Sequence, residues 1–473
     1  MDNRLFSQLA RWAQVQPESP ALQDEQGLVC WGELLSEVDQ LATRLQHEAG
    51  DRIALLADNS RHWVLADLAA MKIGCVLVPV PLFFSDEQRA NLFARAGIDT
   101  LITLDQDELR IQRLDAQATA LHPDTAKITF TSGTTSAPKG VCLSIEHQLQ
   151  VALSLADALG ELNIQRHLCL LPLATLLENV AGVYAALLMG ACIQLPSLSS
   201  LGWQGSSDLD IHRLIGALNR YCPDSLITLP QVLSGLTAAS EQGQAIPPLK
   251  FMAVGGARVG SSLMYRAHAQ KLPAYEGYGL SECASVVSLN TPRHNRIGSA
   301  GRALPHNQLR VNDAGELFIE GNLMLGYLGE PAHAGSYATG DLVRIDGQGY
   351  LHVDGRSRNV IINSYGRNLS PEWVESGLLA IPGVEEAVLF GDDRPHNAAL
   401  IYAPGQADAE LQQQIDRLNA ELPDYARVGR WARIAEPLRH TDQLYTRNGR
   451  PRRSAIAEHF ADTLGALYAS EFC

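Results

Sequence analysis

Short apolar runs alternate with amphipathic helical segments over about the first 290 residues, and this alternation restricts the fold more than any other feature. Up to residue 103 it predicts, in order, a hairpin at 21–31, a strand at 52–57, a helix through 63–71, a strand at 75–80, a helix at 86–96 and a strand at 100–103. It resumes with helix 145–160, strand 168–171, helix 178–189, strand 192–195, helix 211–220 and strands 225–229 and 251–254. Strands joined by helices at this spacing are typical of doubly wound parallel sheets, so we predict two α/β halves.

The pattern of the sequence changes near residue 298. Short runs rich in turn residues, at 309–311, 316–320 and 350–353, predict a small antiparallel β-barrel or meander over about 298–353. Beyond it the pattern is that of a separate α+β unit, with strands near 358–362 and 384–390 and helices near 371–379 and 407–422. The sequence thus predicts a large N-terminal domain, residues 1–354, and a small, mobile α+β domain, residues 355–473, joined by a short hinge.

Length and composition agree with this division and limit the class of protein. A chain of 473 residues exceeds one ordinary core, and 46% hydrophobic with 19% charged residues describes a globular protein. The formal net charge of −15 disfavours general binding to nucleic acid, so an anionic ligand must meet local positive charge. We expect a cytoplasmic protein, because its eight cysteines are scattered without a CxxC pair and its N-terminus is too polar for a signal peptide. We expect no transmembrane segment, because the longest apolar run, 180–193, is shorter than the roughly twenty residues that span a bilayer.

One polar loop lies between two apolar runs, Ile128–Phe130 and Val141–Leu143. It contains several serines and threonines together with glycine, proline and Lys139. Glycines let the backbone approach a ligand closely, hydroxyl and N–H groups donate to phosphate oxygens, and lysine adds a cation. The spacing from Gly133 to Lys139 differs from a GxxxxGK[ST] loop. We therefore predict a strand, a phosphate-holding turn and a second strand.

The order of residues in this loop, Thr129-Phe-Thr-Ser-Gly-Thr-Thr-Ser-Ala-Pro-Lys-Gly140, resembles the signature loop of the adenylate-forming superfamily, the AMP-binding ligases that include the acyl-CoA synthetases. Four further motifs occur in the order typical of the family, so the resemblance covers nearly the whole chain. It implies an AMP-binding domain over 1–354 and a lid domain over 355–473. The implied ATP contacts in the loop are Thr131, Ser132, Gly133, Thr134 and Thr135, with Lys139 as a catalytic residue. Ser136 stands where the family usually has glycine.

Tyr275-Glu-Gly-Tyr-Gly-Leu-Ser-Glu282 is similar to the family's YGxTE motif. The resemblance implies that Tyr278 lies against the adenine, that Ser281 contacts the α-phosphate region, and that Glu282 is a catalytic residue that ligates Mg²⁺. Gly279 is a further expected nucleotide contact. An aromatic face suits base stacking, and a carboxylate oxygen is a hard ligand that suits Mg²⁺. Gly255-Gly-Ala257 is similar to the family's adenine- and carboxylate-side turn, which adds Gly256 and Ala257 to the expected nucleotide contacts.

Two motifs lie close to the expected hinge. Tyr337-Ala-Thr-Gly-Asp341 matches the family's TGD motif, whose aspartate binds the ribose hydroxyls as a carboxylate acceptor. The stretch from Val353 to Glu372 resembles the family's hinge and the loop after it, which implies Asp354 as the pivot and Arg356 as a second ribose contact. Gly366 would lie on the loop that opens the tunnel for the pantetheine arm. Arg358 and Asn359 replace the more usual lysine and aspartate.

Leu171-Pro-Leu-Ala-Thr-Leu-Leu-Glu-Asn-Val180 resembles the LPLAHxxER segment of long-chain fatty acyl-CoA synthetases. Glu178 is in register, whereas Thr175 stands where an aromatic residue or histidine usually gates the acyl pocket, and Asn179 replaces arginine. No aspartate equivalent to the family's amino-acid anchor is evident in the sequence. A fatty acid is therefore the leading substrate, with a role in lipid metabolism, and the altered gate leaves an aromatic or other biosynthetic acid open.

The last motif lacks the family's C-terminal lysine, which bridges the substrate carboxylate and the phosphate. In the matching stretch, Tyr445 to Arg453, the lysine's position is occupied by Arg450. A planar five-donor guanidinium is not interchangeable with a compact ammonium, and losing a positioned charge typically costs about 10²–10³ in rate. Three alternatives stay open: Arg450 is the catalytic residue, a neighbour such as Arg447, Arg452 or Arg453 substitutes, or adenylation is weak.

The resemblance implies an acid–thiol ligase as the function. Such an enzyme joins a carboxylic acid to ATP with Mg²⁺ to give acyl-AMP, and then passes the acyl group to the pantetheine thiol of CoA or of an acyl carrier protein. The alternative is a degenerate family member that binds nucleotide or acyl-adenylate without efficient turnover.

Overall fold

The computed structural model describes residues 4–116, 119–131, 139–204, 208–356, 361–362, 368–392, 394, 396–441, 443–446 and 450–469. Within these ranges, none of the helices has both the length and the apolar character that crossing a membrane requires. Seven cysteines lie in the described ranges, and all of them are free thiols.

The first half of the N-terminal region alternates helices and strands from the start. Its elements are α1 (Arg4–Val15), β1 (Pro20–Gln23), β2 (Leu28–Cys30), α2 (Trp31–Glu48), β3 (Arg52–Leu56), α3 (Arg61–Ile73), β4 (Val76–Pro79), α4 (Asp86–Ala96), β5 (Thr100–Asp105), β6 (Glu108–Arg113), β7 (Lys127–Thr131) and β8 (Lys139–Leu143). Local signals mark the helix ends: the Ser60 hydroxyl accepts from the Trp63 amide at the start of α3, and Gly74 ends it in the left-handed conformation at φ +77°.

The second half continues the alternation and then changes to antiparallel strands. Its elements are α5 (Ile145–Leu159), β9 (Arg166–Leu168), a π-helical segment (Leu177–Tyr184), α6 (Ala185–Met189), β10 (Cys192–Gln194), β11 (Trp203–Gln204), β12 (Asp208–Leu209), α7 (Ile211–Tyr221), β13 (Ser225–Thr228), α8 (Pro230–Glu241), β14 (Phe251–Val254), α9 (Ser261–Ala269), β15 (Ala274–Leu280) and β16 (Ser285–Leu289). The strands that follow are β17 (Arg302–Ala303), β18 (Asn307–Val311), β19 (Glu316–Gly321), β20 (Gly326–Tyr327), β21 (Tyr337–Ile345) and β22 (Leu351–Arg356).

The C-terminal region is a small α+β unit. Its elements are β23 (Ile361–Ile362), β24 (Asn368–Leu369), α10 (Pro371–Leu379), β25 (Glu386–Phe390), β26 (Asn397–Tyr402), α11 (Asp408–Glu421), β27 (Val428–Arg433), α12 (Arg453–His459) and α13 (Ala461–Ala469). Strands β25, β26 and β27 form one sheet, and the side chains of α10 and α11 pack with it in a separate core that includes Val374, Leu378, Leu411 and Ile415. The last turn of α9 meets the end of α10, where the Arg266 guanidinium donates to the Ala380 carbonyl at 3.0 Å.

Two large mixed sheets form the N-terminal region. The first has the strand order β20-β8-β7-β4-β3-β5-β6, and the second β17-β16-β15-β14-β13-β9-β10-β1-β2. In the first sheet, the adjacent strands β7, β4, β3 and β5 pair in parallel. In the second sheet, the adjacent strands β15, β14, β13, β9, β10 and β1 also pair in parallel. The predicted antiparallel β-barrel or meander is a four-stranded antiparallel sheet in the order β18-β19-β21-β22. The predicted α/β fold with a large N-terminal domain and a small C-terminal domain is confirmed.

The N-terminal hairpin belongs to the sheet of the second half. Leu22 on β1 pairs in parallel with Ile193 on β10, and β2 then closes that edge of the sheet. Residues 20–30 therefore complete a sheet whose other strands all come from beyond residue 165. The local pattern predicted the hairpin correctly but carried no information about its partner strand.

Two predicted elements between residues 168 and 189 differ from the structure. The strand expected at 168–171 ends at Leu168, because the Leu171 amide donates to Glu178 and its carbonyl accepts from Asn59 instead of joining the ladder. The helix expected at 178–189 is π-helical from Leu177 to Tyr184 before α6 begins. Helices α8, α9, α12 and α13 were not predicted from the sequence, and neither were strands β6, β11, β12, β15, β16, β17, β20, β21, β24, β26 and β27.

Candidate active site

The predicted phosphate loop is carried by an antiparallel strand pair. Thr131 on β7 and Lys139 on β8 form the pair that borders residues 132–138, as the strand–turn–strand prediction requires. Ser132, Gly133, Thr134 and Thr135 lie outside the described residues. The Lys139 ammonium lies 2.9 Å from the Glu330 carboxylate and 4.4 Å from the centre of the Tyr327 ring. The loop's lysine therefore lies over the face of the Tyr327 ring and forms an ion pair with Glu330.

Glu282 is held by tyrosine hydroxyls that motif reasoning did not single out. The Tyr327 hydroxyl donates to Glu282 Oε1 at 2.8 Å and lies 3.0 Å from the Tyr337 hydroxyl. Burial, followed by the contact with Tyr337 and the charge of Glu282, raises the pKa of Tyr327, so its hydroxyl stays protonated and serves as a donor. Tyr327 reaches this position because β20 pairs with β8, a long-range contact that no local pattern encodes.

The donor chemistry around Glu282 fits a magnesium ion. Mg²⁺ is usually bound by one or two carboxylates together with substrate phosphates and water, and Glu282 supplies one carboxylate next to the loop strands. Its position directly after β15, in the single turn Ser281–Cys283, puts it at the carboxyl end of a parallel strand, where ligands bind in open α/β sheets.

Tyr278, Asp341 and Arg356 are brought together, as the resemblance implied. Asp341 on β21 is 3% exposed and faces Arg356 on β22 across the strand pair. Its Oδ1 lies 2.7 Å from Arg356 Nε, and its Oδ2 accepts a hydrogen bond from the Tyr278 hydroxyl at 2.5 Å. Burial raises the pKa of Asp341, while Arg356 and Tyr278 act against that shift. Both carboxylate oxygens are thus oriented, which suits an acceptor for vicinal hydroxyls.

The remaining predicted nucleotide contacts lie at the adjacent carboxyl ends of β14 and β15. Gly256 has a left-handed φ of +83°, and Gly256 and Ala257 are exposed in the turn after β14. Gly279 must be glycine, because a Cβ there would lie 1.9 Å from the Ser285 carbonyl oxygen of the neighbouring strand. Ser281 begins the turn that presents Glu282. Gly366, Arg358 and Asn359 lie outside the described residues.

Arg450 reaches this cluster from the C-terminal region. Its amide donates to Thr446 Oγ1 at 3.1 Å, and the Thr446 amide donates back to its carbonyl at 2.7 Å, which fixes the turn. Arg450 is exposed as a residue, but desolvation of its guanidinium and then Arg356 lower its pKa, while the carboxylates of Asp341, Glu372 and Glu282 raise it. Arg450 therefore lies within electrostatic range of carboxylates from both regions of the chain.

The neighbouring arginines have other surroundings. The Arg453 guanidinium lies 2.5 and 2.7 Å from the two Glu375 oxygens and also donates to the Leu389 carbonyl, so it ties α12 to α10 and β25. Arg452 is exposed. Arg447 lies outside the described residues.

The expected pivot, Asp354, forms an ion pair with Arg344 at 2.9 Å, and the Asp354 carbonyl accepts a hydrogen bond from Arg258.

The segment that resembles an acyl-pocket motif is buried. Thr175 Oγ1 donates to the Pro172 carbonyl at 2.6 Å. Asn179 donates to the Asp67 carboxylate at 2.8 Å, and the cation expected at its position comes from Lys127, which lies 2.9 Å from Asp67. A narrow cavity lies between this segment, α5 and one face of β9, β13 and β14; its lining includes Leu155, Leu177, Ala181, Ile227, Phe251 and Ala253, with His167 and Ser225 as polar members.

Comparison with known proteins agrees with these motifs. A family model for an AMP-binding enzyme matches residues 9–328, and one for the AMP-binding enzyme C-terminal domain matches residues 358–472. The chain is 28% identical over 427 residues to the 2-succinylbenzoate–CoA ligase of Bacillus velezensis, which covers 82% of this chain and 85% of that protein. It is 26% identical to the long-chain-fatty-acid–CoA ligase FadD15 of Mycobacterium bovis, with 90% and 89% covered.

A solved structure has the same fold. The o-succinylbenzoate CoA synthetase of Bacillus subtilis, in complex with its acyl-adenylate intermediate, superposes with a TM-score of 0.76 at 22% identity, covering 95% of this chain and 97% of that one. The same enzyme with ATP and a magnesium ion superposes with a TM-score of 0.71 at 24% identity, covering 90% and 95%. The chain therefore belongs to the AMP-binding enzyme family, within the adenylate-forming superfamily of acyl-CoA ligases, and is an acid–thiol ligase.

Proposed function

We propose that this ligase activates a carboxylic acid with ATP as acyl-AMP and transfers the acyl group to the pantetheine thiol of CoA or of an acyl carrier protein. The observation that carries the proposal is the position of Arg450, which lies within electrostatic range of Asp341 and Glu282 from the other region of the chain. A cation at this point neutralises charge where a carboxylate approaches a phosphate. We assign the enzyme to the cytoplasm, where free thiols persist.

The proposed chemistry has two steps. A carboxylate oxygen attacks the α-phosphorus of ATP, an O–P bond forms, and the bond to pyrophosphate breaks. The thiolate sulfur then attacks the acyl carbon, and the bond to AMP breaks. Arg450 and Lys139 would offset the charge on the phosphates, and Glu282 would hold Mg²⁺, which when bound supplies further neutralisation.

The nucleotide would be held by the other predicted contacts. Asp341 and Arg356 orient the ribose, while Tyr278, Gly256 and Ala257 face the base. The loop residues Thr131 to Thr135, together with Gly279 and Ser281, are proposed for the phosphates. The proposed division at Asp354 into an AMP-binding domain and a lid, with Gly366 on the lid side, lets the second step use another orientation of the lid.

We propose a compact apolar acid, with aromatic acids ahead of long-chain fatty acids. On β14 the lining of the narrow cavity extends from Phe251 to Ala253, two residues or roughly 7 Å at 3.3 Å per residue, which is short for an extended long-chain acyl group. The 2-succinylbenzoate ligase supports the aromatic choice. The fatty-acid ligase, together with the fatty-acyl pattern of residues 171–180, supports the second candidate.

Acid-dependent release of pyrophosphate tests the proposal. A panel of aromatic and fatty acids is assayed with the wild type, Arg450→Gln, Arg450→Lys and the control Arg452→Gln. We expect turnover by the wild type, a loss of about 10²–10³ in kcat for Arg450→Gln, and no change for the exposed Arg452→Gln. Absence of turnover with every acid, together with recovery in Arg450→Lys, would instead favour a degenerate adenylate-binding protein.

A further inference from the structure

The Arg258 side chain connects parts of the chain on which the site depends. Arg258 directly follows the turn at residues 255–257, which is proposed for the nucleotide. Its Nη1 donates to the carbonyl of Asp354, the expected pivot, at 3.3 Å, and its Cζ lies 6.0 Å from the centre of the Trp373 ring. Trp373 is part of α10, where it packs against the core of the C-terminal region. A single half-buried guanidinium therefore contacts both the pivot and the C-terminal region.

The charge of Arg258 is balanced from both regions of the chain. Burial lowers the pKa of its guanidinium, and the carboxylates of Glu276 and Asp354, both in the N-terminal region, raise it. The nearby charge of Arg344 lowers that pKa again, and Glu372 at the start of α10 raises it. Movement of the C-terminal region would withdraw Glu372 and the aromatic ring from a partly desolvated cation, which is unfavourable.

The hydrogen bond to Asp354 depends on the conformation of the pivot. Hinges move by changes in φ and ψ at a few residues, and rotation about the Cα–C bond of a residue carries its carbonyl oxygen with it. The Asp354 side chain is held separately, by the ion pair with Arg344 at 2.9 Å. The next residue, Gly355, has no space for a side chain, because a Cβ would lie 1.9 Å from Ser370 Oγ, just before α10. The hydrogen bond from Arg258 therefore matches the orientation described here, in which the start of α10 lies against the pivot strand.

Resting on the proposed function, we propose that Arg258 is a positioning residue that holds the lid in the orientation in which Arg450 faces the nucleotide site. Arg258 acts through the Asp354 carbonyl and the Trp373 ring, not on the reacting atoms themselves. Both contacts are present while acyl-AMP forms, and both break when the lid turns about the pivot for thiol transfer. Arg258 therefore favours the first half-reaction and contributes nothing to the second.

Separate assays of the two half-reactions test the proposal. Pyrophosphate release with ATP and an acid that the wild type activates reports the first, and thioester formation from supplied acyl-adenylate and CoA reports the second. Arg258→Met removes the charge and the donor. We expect its kcat for pyrophosphate release to fall about tenfold, the effect of one hydrogen bond from a charged donor, while thioester formation is retained. Arg258→Lys keeps a charge and a donor, so it should recover part of the loss.

The KM for ATP distinguishes a positioning role from damage to the neighbouring turn. A distorted turn at residues 255–257 would weaken nucleotide binding and raise KM, whereas a lid that is less often in place lowers kcat. Trp373→Leu should also slow pyrophosphate release. The double variant with Arg258→Met should lose less than the product of the two single effects, because both substitutions remove the same contact.

Arg310→Met is the matched control. The Arg310 guanidinium lies 4.9 Å from the centre of the Phe318 ring and 4.0 Å from the Glu320 carboxylate, so it too lies over an aromatic ring near an acidic group. Both of these partners belong to β19, within the four-stranded sheet. Both half-reactions of this variant should therefore match the wild type.

Spin-label distances test the orientation without any turnover. Labels are placed at two exposed positions, Cys222 at the end of α7 and Arg430→Cys on β27, with the other reactive cysteines replaced by serine. In Arg258→Met, but not in Arg310→Met, the fraction of molecules at the separation found in this structure should fall.

Three outcomes would overturn the inference: equal slowing of both half-reactions, a raised KM for ATP with kcat unchanged, or a distance distribution that Arg258→Met leaves unaltered. Absence of pyrophosphate release by the wild type with every acid would instead count against the proposed function. In that case the spin-label distances still decide whether Arg258 holds this orientation.

Discussion

Glu276 is a buried carboxylate two residues before Tyr278. Its Oε1 accepts from the Val259 amide at 3.3 Å, and burial raises its pKa to about 7, with Val259 and Arg258 acting against that shift. Between about pH 4.5 and 7 the folded protein therefore binds more protons at this group than the unfolded chain does, so the free energy of unfolding falls as pH rises through that window. Across the whole window, the free energy of unfolding falls by roughly 3 kcal/mol.

Glu276→Gln should remove this dependence. The amide oxygen still accepts from Val259 but never ionises, so we expect the variant to be about 1–3 kcal/mol more stable than the wild type at pH 8 and nearly equal to it at pH 5. Urea unfolding at both pH values measures the difference. The idea fails if the substitution changes the free energy of unfolding by the same amount at pH 5 and pH 8.

The residues whose placement the sequence predicted are those embedded in dense local motifs. Tyr278, Asp341 and Arg356 come together as expected, because Asp341 pairs with Arg356 across β21 and β22 and the Tyr278 hydroxyl reaches Asp341. Tyr327 was missed, since its function depends on pairing between β20 and β8 rather than on neighbours in sequence. Glu276 was missed because an acidic residue in a glycine-rich stretch is more often exposed, and its burial follows from the packing of the segment at Val259.

At the scale of elements, a buried ionic cluster joins α3, β7 and the π-helical segment. Lys127 lies 2.9 Å from the Asp67 carboxylate and donates to the Tyr184 hydroxyl at 2.9 Å, while Tyr184 and Asn179 donate to Asp67 at 2.6 and 2.8 Å. Lys127 and Asp67 are each 2% exposed. Among the described residues, their charges are compensated by one another and by these polar groups.

Lys127→Met should therefore destabilise the N-terminal region by about 3–5 kcal/mol, because Asp67 is left buried without its cation. Lys72→Met is the matched control: Lys72 also pairs with an aspartate, Asp39, but at the surface, where such a pair contributes about 0–1 kcal/mol. Urea unfolding followed by tryptophan fluorescence compares the two variants. Equal losses of stability would contradict the assignment.

This cluster also explains why the sequence could not predict which residue supplies the positive charge near the segment 171–180. Asn179 stands where the family pattern has arginine, so the sequence alone suggests that a positive charge has been lost. The cation instead comes from Lys127, more than fifty positions earlier, at the start of strand β7. Apolar periodicity places helices and strands, but it cannot reveal that one buried charge replaces another across two elements.

At the scale of the whole molecule, the position of Arg450 depends on how the C-terminal region sits on the N-terminal one. Gly260, at the start of α9, is part of that contact: a Cβ there would lie 2.6 Å from the Ser376 carbonyl oxygen and 3.1 Å from the Ala380 Cβ, both in or next to α10. Its φ of −66° suits any residue, so a side chain would meet only the neighbouring region.

Gly260→Ala should disfavour this orientation without disturbing either core. If acyl-AMP formation uses this orientation and thiol transfer another, pyrophosphate release should slow severalfold, while acyl-CoA formation from supplied acyl-adenylate should be retained. Gly216→Ala is the control, since its Cβ would have no atom within 4 Å. Equal slowing of both half-reactions would show that the two steps share one arrangement.

The N-terminal hairpin has a consequence for how the protein is made. Strands β1 and β2 find their place only against β10, and the helices α1 and α2 around them pack in the same core as α5 and α6. Contacts between residues so distant in sequence form slowly, because a long loop must close before they are gained. During synthesis the first half of the chain therefore emerges with an unpaired hairpin and must wait for residues 185–194. An adenylate-forming protein of this design is exposed to aggregation on the ribosome until its second sheet is complete.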